Sequence, residues 1–155
     1  MDRVAGYLSL EERTMPTIHV SVVTSLSPQE AIRRLSDFGP NRAESWLNVD
    51  RDTVKVHQEG PNWADVTEGN RFAWERERYE WDTEAGTVSS VTTDSNVWQA
   101  GPAWSYRLIP QQTGTRVEVT AHRQGKGVKG ILIGALLSII GKRMIRSSTA
   151  TALQP

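Results

Sequence analysis

Arg76, Tyr79 and Tyr106 are the side chains of this 155-residue sequence whose chemistry stands out first. In an apolar setting a tyrosine hydroxyl donates a hydrogen bond to a carbonyl, or serves as general acid in an aldol-type ring closure. Both tyrosines equally suit a packed ring with a satisfied hydroxyl. Two stations are open to Arg76. Inside a cavity its guanidinium would demand an acid, a hydroxyl or an anionic ligand group, and would anchor a polar end. On an outer face it would join a cross-strand ion pair. Asn96 belongs to a polar cluster, Asp94-Ser95-Asn96, beside Trp98, and reads either as a turn residue or as a ligand contact.

Other chemistries lack their residues. The sequence holds no cysteine, which removes thiolate zinc sites, disulfides and cysteine nucleophiles, and fits a reducing, cytoplasmic setting. His19, His57 and His122 fall in three separate segments without metal-ligand spacing, so no metal is expected. Neither a Gly-Xaa-Ser-Xaa-Gly elbow, a phosphate loop nor a dinucleotide fingerprint is present, and no cofactor is expected. Eighteen basic and eighteen acidic side chains cancel, leaving no net field for nucleic acid.

That neutrality conceals an uneven distribution. After Glu118 there is no acidic residue, while Arg123, Lys126, Lys129, Lys142, Arg143 and Arg146 are all basic. Between Gly130 and Gly141 runs an uncharged apolar stretch, shorter than the roughly 20 residues a helix needs to cross a bilayer. At the other end, residues 1–15 lack the basic region and continuous apolar run of a secretory signal. They read as a poorly ordered extension, with Met1 and Met15 both open as the native start, and residues 16–153 as a single domain.

The elements that must position these groups follow from periodicity. Thr17 to Ser25 alternates Ile18, Val20 and Val22 with polar residues, the pattern of a strand with one buried face. Ser27-Pro28-Gln29-Glu30 has the form of a capping box and opens a short helix burying Ala31, Ile32 and Leu35. Phe38-Gly39-Pro40 ends it, and Asn41 can cap a second short helix. From Asp50 to Arg123 the chain reads as six strands separated by turn residues: 53–58, 63–67, 72–81, 87–94, 103–109 and 115–122. With the first, they make a seven-stranded antiparallel sheet. Val128, Ile131, Leu132, Ala135, Leu136, Ile139 and Ile140 form a stripe of period 3.6, predicting a long helix from about Val128 to Thr149 that buries this stripe. Gly130, Gly134 and Ser138 give it a smooth track for a close neighbour.

This order of elements is similar to the helix-grip fold of the SRPBCC superfamily, which includes START, birch-pollen-allergen-like and polyketide cyclase/dehydrase proteins. The resemblance runs over about residues 16–153. It is detailed in Trp74-Glu75-Arg76-Glu77-Arg78-Tyr79-Glu80-Trp81, in Thr93-Asp94-Ser95-Asn96-Val97, and in Gly114-Thr115-Arg116-Val117-Glu118-Val119. It implies an α+β domain in which an antiparallel sheet curves around the C-terminal helix and encloses an apolar cavity for a hydrophobic small molecule: a lipid, isoprenoid or polyketide. Alternation assigns an inner face containing Phe72, Trp74 and Arg76, with Glu75 and Glu77 outward. Tyr79 and Trp81 have the opposite parity, which calls for either a bulge near Arg78 or cover on both faces.

The ligand contacts expected on this basis are Trp74, Arg76, Tyr79, Asn96, Trp104, Tyr106, Ile131 and Leu136. Catalysis, if any, falls to Arg76, Tyr79 or Tyr106. Carriage without catalysis is the leading expectation, and a polyketide cyclase or dehydratase acting in the same cavity is the alternative. The surplus apolar arc and the basic C-terminal segment leave a third, peripheral membrane contact or self-association as a monomer–weak homodimer.

Overall fold

A computed structural model describes residues 17–155. The expected extension, residues 1–15, lies outside the described residues.

Seven antiparallel strands form one sheet in the order β1-β7-β6-β5-β4-β3-β2. They are β1 (Thr17–Thr24), β2 (Lys55–Gly60), β3 (Trp63–Gly69), β4 (Trp74–Asp82), β5 (Thr87–Ser95), β6 (Gly101–Gln111) and β7 (Gly114–His122). Helices α1 (Pro28–Leu35) and α2 (Arg42–Ser45) follow β1, and α3 (Gly127–Ala152) closes the chain. This is the α+β helix-grip architecture expected from the order of segments. The capping box forms as the sequence requires: Ser27 Oγ accepts from Glu30 N, while Ser27 N donates to Glu30 Oε2 at 2.9 Å. Asn41 stands at the N-cap of α2, but its side chain makes no capping bond.

Two register shifts bend the middle of the sheet. Between Arg76/Asp94 and Glu77/Thr92 an extra residue enters β5, and between Ser90/Trp104 and Val91/Pro102 another enters β6. Each bulge increases local twist, and together they help curl the sheet toward α3. The core on the concave side contains Val20, Ile32, Leu35, Val66, Val88, Leu108, Val117 and Val119.

Two expectations about direction are corrected. In β4 it is Glu77 and Tyr79 that are buried, with Glu75 on the same parity, while Phe72 is exposed and Arg76 faces outward. The bulge lies in the partner strand beside Arg76, so β4 keeps one parity throughout. In α3 the stripe predicted to be buried is turned outward: Val128, Ile131, Leu132, Leu136, Ile139 and Ile140 are all exposed. The reason lies in the other face, where small residues let the helix approach. A Cβ on Gly130 would fall 2.2 Å from the Val97 carbonyl oxygen, and one on Gly141 2.8 Å from Ile18 Cδ1. Gly130, Gly141, Ile145, Ser148, Thr149 and Ala152 are therefore the buried side, and they fix the rotation of α3.

Candidate functional site: a cavity with a charged wall

Between the concave face of the sheet, the α2 region and α3 lies a cavity of about 300 Å³. That is the lower end of the range for small-molecule sites, about 300–1,000 Å³. Trp46, Trp98, Trp104, Ile133, Leu137, Ile140 and Met144 supply apolar lining, and Leu47 and Leu136 stand at its exposed rim. Arg42, Glu68, Glu75, Tyr79, Tyr106 and Arg123 supply polar lining.

The polar side is a set of buried charges joined pair by pair. Arg42, at the start of α2, donates from Nε to Glu68 Oε2 at 2.7 Å and from Nη2 to Glu68 Oε1 at 3.0 Å. Its Nη1 donates to the Leu35 carbonyl, and its guanidinium lies over the rings of Phe38, Trp46 and Tyr79. Arg123, just beyond β7, grips Glu75 in the same bidentate manner at 2.7 and 2.9 Å and lies over Trp98 and Trp104. Such forked pairs satisfy both partners where water cannot. Burial opposes the Arg42 charge, yet Glu68 more than offsets it, and the guanidinium is held charged; burial likewise works against Glu68, and Arg42 outweighs it, so that carboxyl is pulled below its usual range. At Glu75 burial wins over Arg123 and its pKa is raised.

Glu77 forms no ion pair with a guanidinium among the described residues. It is 0% exposed; Oε1 accepts from Ser90 Oγ at 2.8 Å, and Oε2 lies 2.8 Å from Tyr79 Oη. The Tyr79 oxygen is also 2.5 Å from Glu68 Oε1. A phenol has one proton and cannot donate to two carboxylates at once. The shorter contact takes it: Tyr79 donates to Glu68, and a protonated Glu77 donates to Tyr79. Two guanidiniums against three carboxyls give the same count, since one retained proton makes the wall neutral. Burial, reinforced by the nearby Glu75 charge, pushes the Glu77 pKa to about 8. The result is a chain, Glu77–Tyr79–Glu68, that ends on a cavity-lining carboxylate.

Tyr106 differs from Tyr79. It is buried, lines the cavity, and its hydroxyl makes no hydrogen bond with any described residue; burial raises its pKa, so it remains a donor. Trp46 Nε1, on another residue that lines the cavity, is buried without an acceptor among the described residues.

Of the residues expected from sequence, Tyr79, Trp104, Tyr106 and Leu136 line the cavity. Trp74, Arg76, Asn96 and Ile131 do not. Arg76 takes its outer-face station, donating to Asp65 at 2.9 and 2.7 Å, because the parity of β4 points it away from the concave side. Asn96 is a turn residue that accepts from Trp74 N and donates to the Phe72 carbonyl. Ile131 is exposed because the rotation of α3 carries it outward. The residues missed were Arg42, Glu68, Glu75, Glu77 and Arg123. A signal existed for some: inward alternation through Ala64 and Val66 continues to Glu68, and that through Val117, Val119 and Ala121 continues to Arg123.

No family model matches the chain, and no curated protein matches it. Solved structures do. A Thermus thermophilus protein superposes with a TM-score of 0.71 at 15% identity, over 88% of this chain and 94% of that one. The ZhuI aromatase/cyclase of a Streptomyces strain gives 0.72 at 10% identity, over 89% and 92%. A START superfamily protein of Mycobacterium smegmatis gives 0.66 at 11%, over 90% and 96%. The fold is therefore the helix-grip fold of START-like and aromatase/cyclase proteins.

Proposed function

We propose that this protein binds a small hydrophobic molecule with a hydrogen-bond-accepting oxygen in the cavity beneath α3. One observation supports this above the others: an apolar cavity lined by the buried residue Tyr106, whose hydroxyl has no hydrogen-bond partner among the described residues, beside charged groups already satisfied by one another. A ligand carbonyl would complete the hydrogen bonding of Tyr106 at little desolvation cost, while the aromatic lining would accept its apolar body. Prodan, a neutral naphthyl ketone whose emission shifts to the blue in apolar surroundings, tests the reading. The free protein should bind it with a blue shift. Leu137→Trp, which fills the cavity, should abolish the shift, and Tyr106→Phe should weaken binding by about two- to tenfold, the worth of one hydrogen bond. A shift that survives Leu137→Trp would overturn the site.

A second reading, cyclase- or dehydratase-type catalysis in the same cavity, draws on the Glu77–Tyr79–Glu68 chain. A carboxyl kept protonated near neutral pH is a suitable general acid: Glu77 would give its proton to Tyr79 as Tyr79 gives its own to Glu68, and Glu68 would hand that proton to an oxygen in the cavity, leaving Glu77 ionised and Tyr79 and Glu68 as they began. Turnover of a reactive poly-β-ketone, lost in Glu77→Gln with prodan binding intact, would support it. Equal rates would remove Glu77 from the mechanism.

A further inference from the structure

The exposed face of α3 is the largest feature that ligand binding leaves unexplained. Successive helical residues turn by 100°. Val128, Leu132, Ile139, Arg143 and Arg146 therefore fall within an arc of about 60°. All five are exposed, Val128 at 77% and Ile139 at 81%. Along this one face the first two-thirds is apolar and the last third basic. Lys142, Arg143 and Arg146 form no ion pair with any described residue. No acidic residue follows Glu118 to neutralise them.

A helix packed on a sheet ordinarily turns its apolar side inward, and contiguous exposed aliphatic surface marks a contact with something apolar. The position relative to the cavity narrows the choice. Leu47, Leu136 and Ile140 both line the cavity and are exposed, so the mouth opens beside this face. Phe72, also exposed, is tied to the start of α3 by Lys129 Nζ, which donates to its carbonyl oxygen, and it carries Arg71 over its ring. Aliphatic side chains bordered by unpaired cations are the complement of an anionic bilayer: acyl chains for the former, headgroup phosphates for the latter.

We propose that α3 docks its outward face on an anionic membrane surface, setting the mouth of the cavity against the lipid so that a hydrophobic ligand passes between bilayer and protein without crossing water. Docking stands on the exposed face alone; the role of the mouth rests on the ligand-binding reading. No helix among the described residues is long and apolar enough to cross a membrane, so the contact is peripheral.

Flotation with vesicles of phosphatidylcholine, with and without roughly one-third phosphatidylglycerol, tests this on the full chain. The protein should float with the anionic vesicles, less so at high salt, and poorly with the neutral ones. Leu132→Asp with Ile139→Asp should abolish flotation, and reversing Lys142, Arg143 and Arg146 to Glu should lower partitioning by about tenfold or more. None of these five residues lines the cavity, so both variants should still bind prodan from buffer, which also reports that they are folded. Absence of flotation by a protein that binds prodan overturns the docking proposal alone. Flotation without prodan binding instead removes the ligand reading and leaves docking in place. Flotation undiminished in both variants would overturn docking through α3. So would a dimer in sedimentation that Ile139→Asp dissolves while no vesicle is bound, which would assign the face to a second copy.

Discussion

The concave wall of the sheet and the outward face of α3 place side chains in opposite ways. The wall keeps Arg42, Glu68, Glu77 and Arg123 from water, whereas α3 leaves Val128, Leu132 and Ile139 in it. What separates them is the availability of partners. Each buried charge meets a matching group from a distant part of the chain, while the aliphatic face of α3 meets none among the described residues, because the small residues on the opposite face are what the sheet accepts. A charge inside is tolerable when forked pairs and neighbouring hydroxyls replace water. An exposed aliphatic side chain costs the folded state little, since it is equally exposed when unfolded.

The largest test of this contrast is Arg42→Met, which strands the Glu68 carboxylate beside an apolar cavity. Urea unfolding should show a loss of about 3–5 kcal/mol, and adding Glu68→Leu should restore most of it. If Arg42→Met costs under 1 kcal/mol, roughly the worth of a solvated surface pair, the wall is wetter than its geometry implies.

Glu77 should give an effect intermediate in size and dependent on pH. Its folded pKa is about 8 against an ordinary 4.5, so the native state keeps a proton that the unfolded chain has released. Stability contributed by this group is full below about pH 4.5, falls as pH rises toward 8, and levels off above. Urea midpoints measured across that window should slope downward in the parent protein and flatten in Glu77→Gln. Parallel slopes would place the retained proton elsewhere. An infrared band of a protonated carboxyl, absent in Glu77→Gln, would locate it directly.

The smallest effect is expected on the other side of the comparison. Ile139→Ser removes an aliphatic residue from water, and the unfolding midpoint should move by no more than about 0.5 kcal/mol. A loss of 2 kcal/mol or more, of the order seen for a buried aliphatic, would show that this face is covered in solution.

Much of the architecture was legible in local pattern. Strand alternation, the Ser27–Glu30 capping box and the uninterrupted helical stretch after Gly127 each express a preference settled within a few residues, and the structure contains them at nearly those bounds. Trp104 and Tyr106 were found for the same reason, as large rings on the inward parity of a strand, whereas Tyr79 was singled out for its hydroxyl against the parity that Phe72 and Trp74 suggested. Arg76 misled because Phe72 and Trp74 suggested one parity for β4, while Tyr79 and Trp81 suggested the other. Only the pairing of Glu75 and Glu77 with Arg123, Thr92, Ser90 and Tyr79 makes the second parity affordable.

What the sequence by itself determined is therefore the set of elements, their order, and which residues share a face. Tertiary structure alone decided which of two faces looks inward. For α3 both faces are apolar enough, and the close approach at Gly130 and Gly141 breaks the tie. For the charged wall, Arg42 and Glu68 are 26 positions apart and Glu75 and Arg123 are 48 apart. The desolvation cost of each carboxylate is offset only when the folded chain brings its guanidinium to it, a compensation that local periodicity does not encode.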